Sequence, residues 1–189
     1  MTTTITSVAH SLDLADARHW THRPPRSPAA RIRHLLRNQD TEALAHRLFA
    51  YPAAVARWAD GDTSTLSPSQ AALLEREIIR TWQTHARYTA HQRILDHHGC
   101  VAVQLHARFT YSTLQGEFDD PRLRHLTEEL PQPHRRALFE AHRHNAGEDR
   151  LRRILADGIG EAYFFHGLAP DQQQAAITIS DLHSVRFHY

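Results

Sequence analysis

Val101-Ala102-Val103-Gln104-Leu105-His106-Ala107-Arg108-Phe109-Thr110-Tyr111 alternates apolar and polar side chains along its length. A period of two puts Val101, Val103, Leu105, Ala107, Phe109 and Tyr111 on one face. Gln104, His106, Arg108 and Thr110 fall on the other, as in a half-buried strand. Downstream, Ser112 to Pro121 reads as a polar loop containing Gly116, Glu117, Asp119 and Asp120. Helices are expected at about Pro121 to Leu130, Pro133 to Asn145 and Glu148 to Asp157. Short strands are expected at Ala162 to Phe165, Ala176 to Ile179 and Val185 to Tyr189. This half is therefore α+β, a small antiparallel sheet with helices packed against it.

Upstream the period changes to that of helices. Ser67-Pro68-Ser69-Gln70 is a capping box with proline at the first helical position, and it opens a long linking helix to about His98 that Gly99 ends. Leu74, Ile78 and Trp82 follow one face of it. Earlier, Ser27-Pro28 starts a helix over Ala29 to Asn38, with Ile32, Leu35 and Leu36 as its apolar stripe. Asp40 caps a second helix, Thr41 to Phe49. After a break at Ala50-Tyr51-Pro52, a third runs through Val55 and Trp58 to Gly61. Two short helices joined by a few residues, with a helix before them, make a helix-turn-helix pattern. The expected organisation is a flexible N-terminus over 1–22, a basic arm and helix-turn-helix-like region over 23–66, the linking helix over 67–99 and the α+β part over 100–189.

The formal net charge is +1, but the charge is unevenly placed. Arg18, Arg23, Arg26, Arg31, Arg33 and Arg37 follow one another with no acid between them, and the chain has no lysine at all. Arginine makes forked contacts with phosphate, so this run reads as a phosphate-binding arm. A solvated basic face is the competing reading.

Other classes find no support. The single cysteine, Cys100, excludes a disulfide framework within the chain. No apolar stretch is long enough to span a bilayer, and Met1 to Leu14 lacks the pattern of a secretory signal, so a cytoplasmic location without membrane partners is expected. The 17 histidines suggest metal, yet none forms HExxH and no CxxC is present. Adjacent His97 and His98 would point about 100° apart on a helix. No intrinsic metal or other cofactor is expected.

Four stretches together resemble the telomere terminal proteins of actinobacterial linear chromosomes and plasmids. The first is Arg26-Ser27-Pro28-Ala29-Ala30-Arg31-Ile32-Arg33-His34-Leu35-Leu36-Arg37, similar to the family's basic helix. The second is Thr41 to Gly61, with Ala43-Leu44-Ala45, Leu48, Val55, Arg57 and Trp58. The third is Ala107-Arg108-Phe109-Thr110-Tyr111-Ser112, similar to the family's ARFxYT strand. The fourth comprises Arg122-Leu123-Arg124-His125-Leu126-Thr127, Leu138-Phe139-Glu140-Ala141 and Gly160-Glu161-Ala162-Tyr163-Phe164. The likeness runs from about Arg23 to the C-terminus and rests on order and spacing.

The resemblance implies a protein primer rather than an enzyme. A side-chain hydroxyl accepts the first deoxynucleotide, and the protein stays covalently on the 5′ end of the DNA at the replicon ends in the nucleoid. Implied partners are telomeric DNA, a telomere-associated protein and a DNA polymerase, whose Mg ions activate the hydroxyl. Thr113 and Ser112 are the first acceptor candidates and Tyr111 the third. The family's acceptor threonine aligns near Glu117-Phe118, where this chain has no hydroxyl. DNA contacts fall to Arg26, Arg31, Arg33, Arg37 and Arg57, because Ala53, Ala54, Ala56 and Asp60 of the recognition helix offer few base-reading groups. A non-priming telomere-associated protein and a helix-turn-helix regulator are the alternatives.

Overall fold

The alternating stretch is the centre of a sheet. The computed structural model describes residues 4–113, 116–165 and 176–189. Of Ser112, Thr113, residues 116–119 and Pro121 it describes the backbone only. Two compact units make up the chain, one of 1–19 with 87–189 and one of 20–86.

In the larger unit, β1 (Ala102–Thr113) lies between β2 (Gly116–Glu129) and β3 (Ala176–His188), both antiparallel to it. This is the expected α+β class. One sheet face carries Val103, Leu105, Ala107, Phe109, Leu126, Ile177, Leu182, Val185 and Phe187, all in a single core. Helices α1 (Val8–Asp16), α7 (Gln132–Arg143) and α8 (Glu148–Ile159) contribute Leu12, Leu138, Phe139, Leu151 and Leu155 to that core.

Several expectations for this unit are corrected. Within the N-terminus expected to be flexible over 1–22, Val8–Asp16 forms helix α1. Val8, Leu12 and Ala15 recur at helical spacing and are buried. Ser7 caps α1 through the His10 N–H. The Glu148 carboxylate accepts from the Val8 N–H at 2.6 Å and the Ala9 N–H at 3.3 Å, meeting donors that no helical carbonyl reaches. The polar loop over 112–121 and the helix over 121–130 are mostly strand β2. Leu123 and Leu126 suit a helical stripe, but pairing with Leu105 places Leu126 in the core, while Leu123 lies in the register break between Asp120 and Arg124 and is exposed. The strand at 162–165 is instead a π turn, Gly160–Phe164, continuing α8 and closed by Phe165 N–H to Gly160 O at 2.8 Å. A Cβ on Gly160 would stand 3.2 Å from the Phe165 ring. The two C-terminal strands are one strand. Extra residues at Ser180 and His183 shift its register against β1 and break the alternation in between.

The smaller unit holds α2 (Pro28–Leu35), α3 (Thr41–Arg47), α4 (Pro52–Asp60) and α5 (Pro68–Thr81). Ile32, Leu35, Leu44, Leu48, Val55, Trp58, Leu74 and Ile78 close its own core. Ser27 and Asp40 cap α2 and α3, Pro28 and Pro52 stand in the first turns of α2 and α4, and Gly61 ends α4 in a left-handed conformation. The expected helix from 68 to 98 is two helices. Trp82 is extended (ψ 128°) and Gln83 is left-handed (φ 48°), so α5 stops before α6 (Thr84–Asp96). The break has local partners. The Trp82 indole N–H donates to His22 O at 2.9 Å, and the Gln83 carboxamide accepts from the Thr21 N–H at 2.9 Å.

Candidate nucleic-acid interface

The smaller unit carries the arginines singled out from sequence. Arg26, Arg33, Arg37 and Arg57 are exposed and Arg31 is half-buried. Arg31 donates from Nε to Pro25 O at 2.8 Å, fixing the extended arm against α2. Arg33 donates from Nη1 to Ala59 O at 3.0 Å, which ties α2 to the last turn of α4 near Arg57. Among the described residues, none of these five arginines forms an ion pair with a carboxylate. Arg47 and Arg80 of the same unit differ, since both engage Glu77, at 3.0 and 2.9 Å. The five therefore keep guanidinium donors for an outside anion. Burial and then the charge of Arg37 hold His34 below the ordinary imidazole range, so it adds no lasting cation to this unit at neutral pH.

The turn between α3 and α4 supplies what sequence reasoning missed. Phe49 is 81% exposed and Tyr51 83% exposed, the most open of the large apolar side chains among the described residues. They flank the N-terminus of α4, the end that a recognition helix presents to a groove. Aromatic faces there offer stacking or apolar contact where Ala53 and Ala56 offer no base-reading hydrogen bonds.

The acceptor candidates lie in the other unit. Ser112 and Thr113 end β1, opposite Glu117 and Gly116. They are strand residues rather than loop residues, and their side chains lie outside the described part. Tyr111 is half-buried, its ring edge-on to Phe164 at 5.3 Å. Its hydroxyl donates to Asp120 Oδ2 at 3.4 Å. Burial raises the Tyr111 hydroxyl above its usual range, and the nearby Asp120 charge adds to that against Arg124. Arg122 and then Arg124 hold the Asp120 carboxyl far below the ordinary carboxylate range. Arg124 reaches Asp120 Oδ2 at 2.6 Å and donates to the Tyr163 hydroxyl at 3.3 Å. The grouping of Tyr111, Asp120, Arg124 and Tyr163 was hidden in the sequence because Pro121 to Leu130 read as helix.

A second polar cluster sits inside the larger unit. Asp16 is fully buried, and Asp13, Arg87, His91 and His142 are nearly so. Asp16 accepts from the Tyr189 hydroxyl at 2.6 Å and pairs with His91 at 2.6 Å and with Arg87 Nε at 2.7 Å. Asp13 pairs with Arg87 at 3.0 Å and His142 at 3.1 Å. Burial would raise the Asp16 carboxyl, but the His91 hydrogen bond and charge, Arg87 and the Tyr189 hydroxyl together hold it low. Ligand atoms of Asp13, Asp16 and His142 converge within 4.8 Å, a spacing a metal ion could use. The Arg87 guanidinium already stands between the two carboxylates, so the cluster reads as an internal ion-pair network joining α1, α6, α7 and the C-terminal residue.

No helix among the described residues is long and apolar enough to cross a membrane. No protein-family model, no curated protein and no solved structure matches the chain.

Proposed function

We propose that this chain is a terminal protein of a linear replicon, binding DNA ends through α2 to α4 and serving as protein primer for a DNA polymerase. The observation that carries the DNA part is that one small helical unit holds five arginines without a carboxylate ion pair together with two exposed aromatic rings. Arginines left open in this way suit phosphate contacts, which supply most of the affinity in DNA binding. The sparse polar face of α4 suits binding that depends on backbone and partner contacts more than on base reading.

Priming is the part that rests on the resemblance. A Ser112 or Thr113 oxygen would attack the α-phosphorus of a deoxynucleotide. One oxygen–phosphorus ester forms, the bond to pyrophosphate breaks, and the hydroxyl proton leaves to solvent through the polymerase site. Magnesium held by the polymerase would lower the barrier by stabilising attacking and leaving oxygens. The chain itself needs only an accessible hydroxyl. Tyr111 ranks behind the other two because its hydroxyl is raised and bonded to Asp120. A telomere-associated protein completes the proposed partners, with the nucleoid as the place of action.

The test is nucleotidylation. Purified protein is incubated with host replication extract, telomeric DNA and labelled deoxynucleotides, and the modified peptide is mapped by mass spectrometry. Label on the peptide holding Ser112 and Thr113 supports the reading. Absence of label in an extract that modifies an authentic terminal protein overturns priming. Retained DNA binding in that case would leave a non-priming DNA-binding protein.

A further inference from the structure

The two edges of the sheet differ. The outer side of β3 is partly occupied, since the Val185 N–H donates to Ile5 O at 2.8 Å. β2 pairs with β1 on one side, and among the described residues no backbone hydrogen bond reaches its other side. One bond fixes the phase of that edge. The Leu130 N–H donates to Val101 O at 2.9 Å, and these residues stand opposite each other, one step beyond the Ala102–Glu129 pair. Backbone groups alternate sides along a strand, so Arg124, Leu126 and Glu128 also turn theirs toward β1, while His125, Thr127 and Glu129 turn theirs outward. The side chains of these last three are exposed on the polar face of the sheet. From Arg124 to Glu129 the register with β1 is unbroken; Pro121 and the irregular register, devices that blunt an edge, lie before it.

We infer that this edge pairs antiparallel with the same edge of a second copy of the chain, joining two three-stranded sheets into one about a two-fold axis at Leu126. The charges along the edge are self-complementary. At its start Arg122 and Arg124 share one carboxylate, Asp120, at 3.1 and 2.6 Å, which leaves one positive charge over. At its end Arg135 meets Glu129 at 3.3 Å, and Glu128 has no ion pair among the described residues, which leaves one negative charge. An antiparallel copy sets the positive end of each edge against the negative end of the other, and two-fold symmetry makes the match twice. The two faces of the sheet select the register. Directly opposed residues share a face, so the axis passes through a residue and not between two. Centred on His125 or on Thr127, the pairing sets Leu126 opposite Arg124 or Glu128. Centred on Leu126, it sets Leu126 opposite its own copy, Arg124 opposite Glu128 twice, and His125 opposite Thr127. Leu126, already in the core with Leu105, then carries that core across the junction.

The contact uses none of the residues proposed for DNA binding or nucleotide acceptance, so either reading can fail without the other. Its test begins with sedimentation of the full chain over a concentration series reaching the millimolar range, where a monomer–dimer equilibrium is expected. Thr127→Pro removes an outward N–H and no bond to β1, so it is expected to give monomer throughout with an unchanged circular dichroism spectrum. Glu128→Arg sets like charges opposite each other and is expected to weaken association about tenfold. Cross-linking reads the register. In a Cys100→Ser background, His125→Cys chains mixed with Thr127→Cys chains form a disulfide on oxidation by diamide, because opposed residues of a hydrogen-bonded pair stand about 5.5 Å apart at Cα. Neither chain alone does so, since like positions lie two residues out of register. Should Thr127→Pro unfold, Glu128→Arg and the cross-link pattern decide. Wild-type chain that stays monomeric at every concentration overturns the proposal. A dimer unaffected by a folded Thr127→Pro or by Glu128→Arg overturns it as well. A disulfide formed by His125→Cys chains alone overturns the axis at Leu126.

Discussion

The Tyr189 hydroxyl donates a 2.6 Å hydrogen bond to Asp16 Oδ1, joining residues 173 apart in sequence inside the larger unit. The same hydroxyl lies 3.3 Å from Leu12 O. Tyr189→Phe removes one donor from a buried carboxylate and is expected to cost about 1–3 kcal/mol. Asp16→Ala leaves buried His91 without its carboxylate and Arg87 with Asp13 alone, and is expected to cost about 3–5 kcal/mol. Urea unfolding measures both.

The same pair sets two pH limits. Burial, and then the Asp16 charge, raise the Tyr189 hydroxyl well above its ordinary range. Above about pH 10 the unfolded tyrosine loses its proton while the folded one keeps it, so stability falls as pH rises. Asp16 is held low, so its contribution is present above about pH 4 and is lost as pH falls through its folded value. Unfolding free energy measured against pH should therefore decline at both ends. Tyr189→Phe should remove part of the alkaline decline. An alkaline limb unchanged in that variant would count against the assignment.

Leu12→Ala should cost about 2–5 kcal/mol, because a fully buried leucine leaves a cavity. A loss below about 0.5 kcal/mol would mean that α1 is the loose arm its sequence first suggested.

Arg26→Ala, Arg33→Ala, Arg37→Ala and Arg57→Ala should each lower DNA affinity and reduce the slope of log affinity against log salt by about one unit. Arg47→Ala should leave that slope unchanged, since Arg47 is engaged by Glu77. Filter binding over a salt series separates the two groups. Equal slopes for all five variants would remove the proposed interface.

Tyr111→Phe should leave nucleotidylation within about twofold of wild type, and Ser112→Ala with Thr113→Ala should abolish it. A twofold change corresponds to roughly 0.4 kcal/mol in the barrier, small beside the loss of a nucleophile. Abolition by Tyr111→Phe alone would move the acceptor to Tyr111.

Phe49 holds a left-handed backbone (φ 49°) while 81% exposed, so little packing secures it. Phe49→Gly should raise stability by up to about 1 kcal/mol, as the strain of a side chain there is removed. The same variant should weaken DNA binding if the ring stacks, which melting and filter binding together will resolve.

What could be read from the sequence follows from whether a signal was local. Ser27-Pro28, Asp40, Ser67 and Gly61 marked helix ends correctly because caps act on their own first or last turn. The β1 alternation was legible from Val101 to Phe109 because the two faces differ in burial there; Thr110, expected to face outward, is buried. The break at Trp82–Gln83 carries no glycine or proline, and its causes are contacts with Thr21 and His22 far back in the chain. β2 was misread because Arg122–Leu126 fits two periods and only the neighbouring β1 selects one. The arginine run was visible as composition, but whether each arginine was already engaged required Glu77, Pro25 and Ala59 to be placed.

The interrupted make-up of the larger unit bears on how the chain is made. Helix α1 leaves the ribosome before the residues packed around Leu12 and Asp16, which arrive with α6, α7, α8 and β3. At a synthesis rate of about 5–20 residues per second, α1 waits roughly ten to thirty seconds for its last partners. The smaller unit, encoded between the two pieces, has its whole core at hand and can fold during that wait. The apolar stripe of α1 is thus a nascent-chain segment exposed to chaperones until translation has passed β3.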